Sequence, residues 1–446
     1  MRENTKEGLQ QILTTTLEHR ATEFVEQQLV SHQHSTPTSR CRFCGSVLRH
    51  TYADLGMSPL ANAYLKPSQL NRMEPFYPLH AYVCEDCFLV QLEAFESPED
   101  IFGDYAYFSS YSDTLLKHSK DYTDMIAARL GLNEQSQVVE IASNDGYLLQ
   151  YFVEKGITVL GVEPAANVAE AALKKGIPTL IRFFGREMAL ELASAGKQAD
   201  LIVGNNVLAH VPELNDFVAG LKILLKPRGV ITLEFHYLLR LLEDNEFDTI
   251  YHEHFSYFSF TTVQKVFARH GLVLFDVDEL PTQGGSLRIY ACHDEDTSQA
   301  ISQRVSDQIA KEEAAGLTRL ECYLAFSEKV KAMKRKLLTF LVAAKEEGKT
   351  IAGYGAAAKG NTLLNYCGIG TDFIDYVADR SPHKQGLFLP GTHIPICPPD
   401  KVRESKPDYL LILPWNIRAE IMEQMAYIRQ WGGQFLVLIP EVKVYP

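Results

Sequence analysis

The sequence predicts an α/β protein with two doubly wound Rossmann-like domains and a small N-terminal metal-binding module. Three observations predict it. Two C-x-x-C pairs, Cys41/Cys44 and Cys84/Cys87, stand close together near the N-terminus. From Val138 short apolar runs alternate with helical stretches, and the same alternation restarts at Lys349. Such alternation is the pattern of βαβ units, whose parallel sheet is covered by helices on both faces. The length of 446 residues is enough for several domains.

Residues 1–39 read as a helix and linker. Leu9, Leu13, Leu17, Phe24 and Leu29 fall at helical spacing, and the stretch from Ser31 to Arg40 is polar and turn-rich. His32 and His34 read as part of a solvated linker rather than as metal ligands. The sequence leaves open whether this helix packs on the body, forms a homodimer contact or docks a partner.

Residues 40–100 read as the metal-stapled module. Each C-x-x-C knuckle presents two thiolates, and two knuckles close a tetrahedral structural zinc site (Cys41, Cys44, Cys84 and Cys87). Gly45 suits the tight turn of the first knuckle. A redox C-x-x-C opens a helix after a strand, which neither pair does. Four filled positions leave no place for catalysis on the ion. The long spacing from Cys44 to Cys84 requires structure to loop out between the pairs. Cys292, Cys322, Cys367 and Cys397 are scattered and read as buried bystanders.

Residues 101–299 carry five parallel-strand runs: VVEIAS, ITVLGVE, PTLIRFF, ADLIVGNN and GVITLEF. A helix at Thr261–His270 follows, then GLVLFDVDEL and GSLRIYACH, an antiparallel edge pair joined by PTQGG. Residues 300–348 are charged and helical, a connector. Residues 349–446 repeat the alternation with TIAGYG, FIDYVAD, YLLILP and QFLVLIP.

The net charge of −13 opposes non-specific binding to nucleic acid or anionic membranes, which needs clustered Lys and Arg. No apolar stretch approaches the ~20 residues of a membrane span. The charged first thirty residues lack a signal-peptide core, so a cytoplasmic location is expected.

The first strand runs into a turn, Glu140-Ile141-Ala142-Ser143-Asn144-Asp145-Gly146, with one glycine where a dinucleotide fingerprint has three. Two acids stand at strand ends, Glu140 and Glu163, and Asn205-Asn206 end the fourth strand. A carboxylate such as Glu163 can take both ribose hydroxyls of an adenosine. Glu140 suits a cationic ligand, and S-adenosylmethionine carries a sulfonium and an ammonium group. The bland alternative is an ordinary strand–turn–helix with surface acids. Ala142, Asn144 and Gly146 complete the candidate cofactor set.

VVEIASNDGYLLQYF, GVEPAANVAEAA, NNVLAHVPELNDF, YHEHFSYFS and GYGAAAKGNTLLN together resemble the three-domain sugar C-methyltransferases. The resemblance spans about residues 40–446 and omits residues 1–39. It implies a four-cysteine zinc module, a methyltransferase core using S-adenosylmethionine, and a C-terminal Rossmann-like domain. It also implies methylation of a ring carbon next to the ketone of a nucleotide-linked keto-deoxysugar. That chemistry removes an α-proton and stabilises an enolate oxygen. By resemblance His254 is the general base, with Tyr251 and Glu253 beside it and His210 as a second functional histidine. Tyr251 could donate to the oxyanion, and Glu253 could orient the ring or accept from the sugar. Tyr105 and Tyr107 resemble the aromatic segment that covers the site. Phe255, Tyr257, Phe258 and Phe260 read as core packing.

The C-terminal turn, Gly353 to Asn361, offers small residues and Lys359 at a helix N-terminus. By analogy Gly355, Lys359 and Asn361 hold a pyrophosphate; tight packing without a ligand is the bland reading. Gly284, Gly285, Ser286 and Arg288 are weaker candidates for the same task. His236 and Tyr237, after the fifth strand, depart from the family pattern and put the acceptor in doubt. A methyltransferase acting on a non-sugar or carrier-bound intermediate is the alternative. A nicotinamide oxidoreductase and a zinc-ribbon nucleic-acid adaptor are opposed by the missing glycines and by the acidic charge.

Overall fold

The computed structural model describes residues 39–102 and 108–446. The N-terminal helix expected over residues 1–30, its linker, and the pair Tyr105 and Tyr107 lie outside the described residues. The cysteine pairs are carried by an antiparallel sheet of β1 (His50–Ser58), β2 (Tyr77–Val83) and β3 (Val90–Leu92). In β2 the inward residues alternate, Leu79, Ala81 and Val83, as the two-residue period of a half-buried strand requires. β1, the loop 59–76 and β2 make the excursion that the spacing between the cysteine pairs demands.

The central sheet contains β4 (Gln137–Ile141), β5 (Thr158–Val162), β6 (Thr179–Leu180), β7 (Ala199–Asn205) and β8 (Leu225–His236), all parallel. A short β9 (Ser256–Tyr257) leaves this region and pairs with β3 as a fourth strand of the N-terminal sheet. β10 (Leu272–Leu280) and β11 (Ser286–His293) add an antiparallel edge, joined through residues 281–285 as the sequence indicates. The order is β10-β11-β8-β7-β4-β5-β6. It reverses between β4 and β7, and ligands bind such sheets at that crevice, outside the carboxyl ends of the strands. β7 is buried along most of its length because helices cover both faces. The run PTLIRFF yields only two strand residues. It is the sheet edge, and Ile181 and Phe183 beyond it are exposed.

Helices Gln303–Ala315, Leu320–Leu324 and Phe326–Glu346 form the connector. The connector docks on the N-terminal sheet through aromatic stacks, Tyr52 on Phe326 at 4.6 Å and Phe88 on Tyr323 at 5.5 Å. The last sheet contains β12 (Ile351–Tyr354), β13 (Val377–Ala378), β14 (Ile396–Cys397), β15 (Tyr409–Ile412), β16 (Gln434–Val437) and β17 (Lys443–Tyr445). Its order is β14-β13-β12-β15-β16-β17, parallel except for β17. β14 and β17 are edge strands of two and three residues, too short to stand out as apolar runs. Among the described residues no helix is long and apolar enough to cross a membrane.

Candidate active site

β4 ends in a turn that the chain can make only by entering the left-handed region three times: Ala142 (φ 58°), Asn144 (φ 48°) and Gly146 (φ 75°). Such φ values cost a non-glycine residue on the order of 1–3 kcal/mol each. At Gly146 a Cβ would also meet Ile177 Cδ1 at 2.3 Å. The strain is held by Glu163, at the end of β5. Its carboxylate accepts the Asn144 N–H and the Ala165 N–H, each at 2.9 Å. The Asn144 side chain accepts the Ser109 N–H at 3.0 Å.

Glu140 is fully buried beneath this turn, and neither carboxylate oxygen has a hydrogen-bond partner. Burial, then the neighbouring Glu163 and Asp145, push its pKa well above the carboxylate range. Burial also raises Glu163. A buried carboxyl without partners is costly unless something arrives to pair it. Asn205 closes β7, and Asn206 (φ 54°) gives its N–H to Glu234 O at 2.7 Å. The donor set fits S-adenosylmethionine. Glu140 offers open acceptors for a cationic group, and each Glu163 oxygen keeps a lone pair for a ribose hydroxyl.

At the same sheet edge the structure brings His210, Tyr251 and His254 together. His210 ends a 3-10 turn after β7, and its ring lies 4.7 Å from that of His254. The Tyr251 ring lies 4.0 Å from His254. His254 Nδ1 meets the Thr249 carbonyl at 2.8 Å. A carbonyl only accepts, so Nδ1 carries the hydrogen and Nε2 of the neutral ring keeps its lone pair. Burial and then the neighbouring His210 hold His254 well below the usual histidine pKa. Burial pulls His210 down to about 4. Glu253 is buried and pushed up to about 7 by that burial, against the Asn62 amide that donates to it at 2.6 Å. His252 turns the other way, to Pro78 O in the N-terminal sheet at 3.2 Å.

Several neighbours were invisible to sequence reasoning. Asn62 and Tyr64 come from the loop between β1 and β2; the Tyr64 hydroxyl donates to Ala356 O at 2.6 Å. Asp248 is buried, raised to about 7 by that burial, and accepts the Trp415 indole N–H at 2.8 Å. Lys359 stands over the Trp415 ring at 4.6 Å and donates to Asn416 Oδ1 at 2.9 Å. Burial lowers its pKa, and Asp248 and Glu246 oppose that.

The C-terminal turn differs from the cradle that the sequence suggests. The N–H groups of Gly355, Ala356 and Ala357 already donate to Ala378 O, Asp379 Oδ2 and Gly355 O. Gly355 (φ 87°) is required by packing, since a Cβ would meet Pro414 Cδ at 2.5 Å. What the turn still offers is the Lys359 amine and Asn361, whose buried amide has no partner on either atom. Arg288 is spent in a buried ion pair with Glu234 at 2.7 Å. Gly284 and Gly285 pack against Trp415 and Arg240. His236 pairs with Glu246 at 2.6 Å, whereas Tyr237 is turned into the core, where Gln308 donates to its hydroxyl.

The four thiols Cys41, Cys44, Cys84 and Cys87 lie within 4.8 Å of one another. Cys41–Cys87 and Cys44–Cys84 are each 3.5 Å apart. A tetrahedron of Zn–S bonds near 2.3 Å places its sulfurs about 3.8 Å apart, so the donor set fits one zinc ion. The two knuckles share a fold: Gly45 N–H returns to Cys41 O, and Phe88 N–H to Cys84 O, each at 2.9 Å. Gly45 (φ 83°) and Phe88 (φ 64°) occupy matching left-handed positions.

Three family models match in chain order. They are described as "Putative zinc binding domain" over residues 41–102, "Methyltransferase domain" over 116–277 and "C-methyltransferase C-terminal domain" over 281–440. C-methyltransferase NovU of Streptomyces niveus is 36% identical over 411 residues, 92% of this chain and 97% of that protein. Ubiquinone biosynthesis O-methyltransferase of Bartonella bacilliformis is 27% identical over 96 residues, 21% of this chain and 39% of that protein. Among solved structures, magnesium protoporphyrin IX methyltransferase of Synechocystis PCC 6803 with bound SAM covers 44% of this chain and 88% of its own. It matches at 16% identity and a TM-score of 0.31.

Proposed function

The chain belongs to the C-methyltransferase family with zinc-binding, methyltransferase and C-terminal domains, and on that premise we propose that its acceptor is a nucleotide-linked keto-deoxysugar. The enzyme is an S-adenosylmethionine-dependent C-methyltransferase, and a zinc ion on the four cysteines is its second cofactor. The observation that carries the mechanism is the open Nε2 of His254 beside His210 and Tyr251. The proposed division of labour places the zinc module in residues 40–100, the methyltransferase unit in 101–299, the connector in 300–348 and the acceptor-binding unit in 349–446.

S-adenosylmethionine supplies an electrophilic methyl group. Glu163 would hold the ribose and Glu140 the charged end, with Ala142, Asn144, Gly146, Asn205 and Asn206 shaping the pocket. The Thr249 carbonyl fixes the His254 tautomer. Nε2 takes the proton α to the ketone, and the C–H electron pair becomes an enolate. The Tyr251 ring faces the imidazolium that results, and an aromatic face stabilises such a cation by about 0.5–2 kcal/mol. Tyr251 or His210 donates to the enolate oxygen. Holding the acceptor carbon in line with the methyl supplies the orientation entropy. Lys359 and Asn361 meet the anionic tail, while Gly355 serves packing. Tyr105 and Tyr107 are proposed as substrate-binding residues. Location in the cytoplasm and assembly as a homodimer complete the reading.

The test is purified protein with labelled S-adenosylmethionine and a panel of keto-sugar nucleotides. Label appearing on a carbon next to the ketone supports the sugar assignment. No transfer to any sugar, from protein that binds the methyl donor, rejects it.

A further inference from the structure

We propose that Arg42, inside the first zinc knuckle, is a positioning residue that sets the His210–His254 geometry. The inference rests on the reading of those histidines given above. It also supplies a task for the metal module beyond holding its own fold.

Arg42 lies between Cys41 and Cys44, and two contacts fix its backbone while a third fixes that of Phe43. Its N–H donates to Gln91 Oε1 at 2.9 Å, and Gln91 in turn donates to Cys41 Sγ at 3.2 Å. Asn215 donates to the carbonyls of Arg42 and Phe43 at 3.0 and 2.9 Å. From this fixed base the guanidinium spans two chain segments. Nη1 donates to Pro212 O at 3.2 Å, two residues after His210. Nη2 donates to Leu92 O. The Leu92 N–H is itself bonded to Phe255 O at 3.0 Å, one residue after His254. The guanidinium also sits 5.5 Å from the Phe255 ring.

One planar fork therefore ties together the segments that carry both histidines, and the loop of the first cysteine knuckle anchors the fork. Arginine suits this because its donors diverge in a rigid plane; a lysine ammonium cannot hold both carbonyls at those positions. The two imidazoles are 4.7 Å apart, so a displacement near 1 Å is large on the scale of their contact. Misplacement of that size costs on the order of 100-fold in rate.

The experiment compares Arg42→Met and Arg42→Lys with Thr262→Val. Thr262 Oγ1 donates to Cys87 O at 3.1 Å, so that control disturbs the docking of the other knuckle; its second contact, the Ser259 hydroxyl that donates to it at 2.9 Å, lies five residues beyond His254 and touches neither imidazole. The readouts are kcat and acceptor KM, S-adenosylmethionine affinity by calorimetry, zinc content, and the 15N-histidine signals of His210 and His254. Arg42→Met is expected to lower kcat on the order of 10- to 100-fold and to shift both histidine signals. Cofactor affinity and zinc content stay within about twofold of wild type, by the same separation of positioning from binding. Arg42→Lys falls between, and Thr262→Val matches wild type. Wild-type kcat or unshifted histidine signals in Arg42→Met would overturn the proposal. So would a Thr262→Val enzyme that loses as much as Arg42→Met. If Arg42→Met does not fold, Arg42→Lys against Thr262→Val decides on the same readouts. The histidine signals need no acceptor. A wild-type enzyme inert on every keto-sugar nucleotide therefore rejects the sugar reading and leaves the Arg42 question to be answered by those signals.

Discussion

The turn after β4 and the turn after β12 look alike in sequence and differ in what they leave unspent. Each follows a parallel strand, each needs a left-handed glycine, and each glycine is pressed against a neighbour. A Cβ at Gly146 would meet Ile177 at 2.3 Å, and one at Gly355 would meet Pro414 at 2.5 Å. Beneath the first turn lie two buried carboxylate oxygens of Glu140 without partners. In the second, the N–H groups of Gly355, Ala356 and Ala357 are all satisfied within the turn and by Ala378 and Asp379, and the unpaired buried atoms are those of the Asn361 side-chain amide in the helix that follows. A glycine in such a turn reports backbone geometry. A ligand site is reported by polar atoms that the fold buries and does not pair.

The proposed chemistry lies at the edge of the central sheet, and the largest effect should follow from removing the proposed base there. His254→Asn keeps a polar side chain of similar reach and loses the proton acceptor. General bases contribute on the order of 10²–10⁴ in rate, so kcat should fall by that factor. Calorimetry should show unchanged S-adenosylmethionine affinity. A loss of this size from Asn416→Ala, which releases Lys359 in the C-terminal turn, would break the comparison.

The next effect concerns Glu140. A hydrogen bond to a charged group contributes about 1.5–3 kcal/mol, so Glu140→Leu should weaken S-adenosylmethionine binding on the order of 10- to 100-fold. The same substitution removes an unpaired buried carboxyl and should raise the melting temperature of the protein without the methyl donor. Tighter folding with weaker binding is the signature of a site held open at a cost in stability. If both measurements fell together, Glu140 would be an ordinary structural residue.

The sequence carried the two sheets, the edge hairpin and the zinc tetrad plainly, because each rests on local periodicity or on exact cysteine spacing. It carried His210 and His254 through motif resemblance, and the fold brings them to 4.7 Å. It could not carry Asn62, which reaches Glu253 across 191 positions. Asn62 sits in a Pro-rich loop with no periodicity and no motif. Nor could it carry Trp415 on Asp248, a contact between two 3-10 turns. The edge strands β14 and β17 escaped for the opposite reason: they are too short to show a period. The satisfied amides of the C-terminal turn were hidden because spending depends on Asp379, which the chain presents from a different strand end.

Two buried carboxyls flank the histidines, and their titration sharpens which side of the site governs activity. Burial pushes both Glu253 and Asp248 up to about 7. A raised carboxyl pKa means that the neutral acid persists until about pH 7 and the carboxylate appears above it. His254 lies well below 6.5 and stays neutral throughout that range. Glu253 faces the Asn62 amide donor next to the proposed base His254, so its carboxylate is the form that fits. kcat/KM should rise about tenfold from pH 6 to 8, since one pH unit below the midpoint leaves about a tenth ionised. Glu253→Gln should flatten that limb and Asp248→Asn should keep it. A profile flattened by Asp248→Asn instead would place the controlling group on the C-terminal side.

The smallest effect on activity is expected at Gly355, and it is the sharpest discriminator between the two turns. Gly355→Ala puts a methyl group against Pro414 and holds alanine at φ 87°. Strain of this kind costs on the order of 1–3 kcal/mol, so the melting temperature should drop. The amides around Gly355 already bond within the protein, so no ligand contact disappears with the substitution. Cofactor affinity, acceptor KM and kcat should therefore stay within about twofold of wild type when measured well below the melting temperature, as for any strain confined to the folded scaffold. Gly146→Ala imposes a similar clash and a similar φ penalty in the central turn, yet it should weaken S-adenosylmethionine binding as well as stability. Equal losses of acceptor binding from the two alanines would show that the C-terminal turn holds the acceptor through its backbone after all. A loss of stability alone at Gly355 leaves Lys359 and Asn361 as the groups that meet the acceptor, through their side chains.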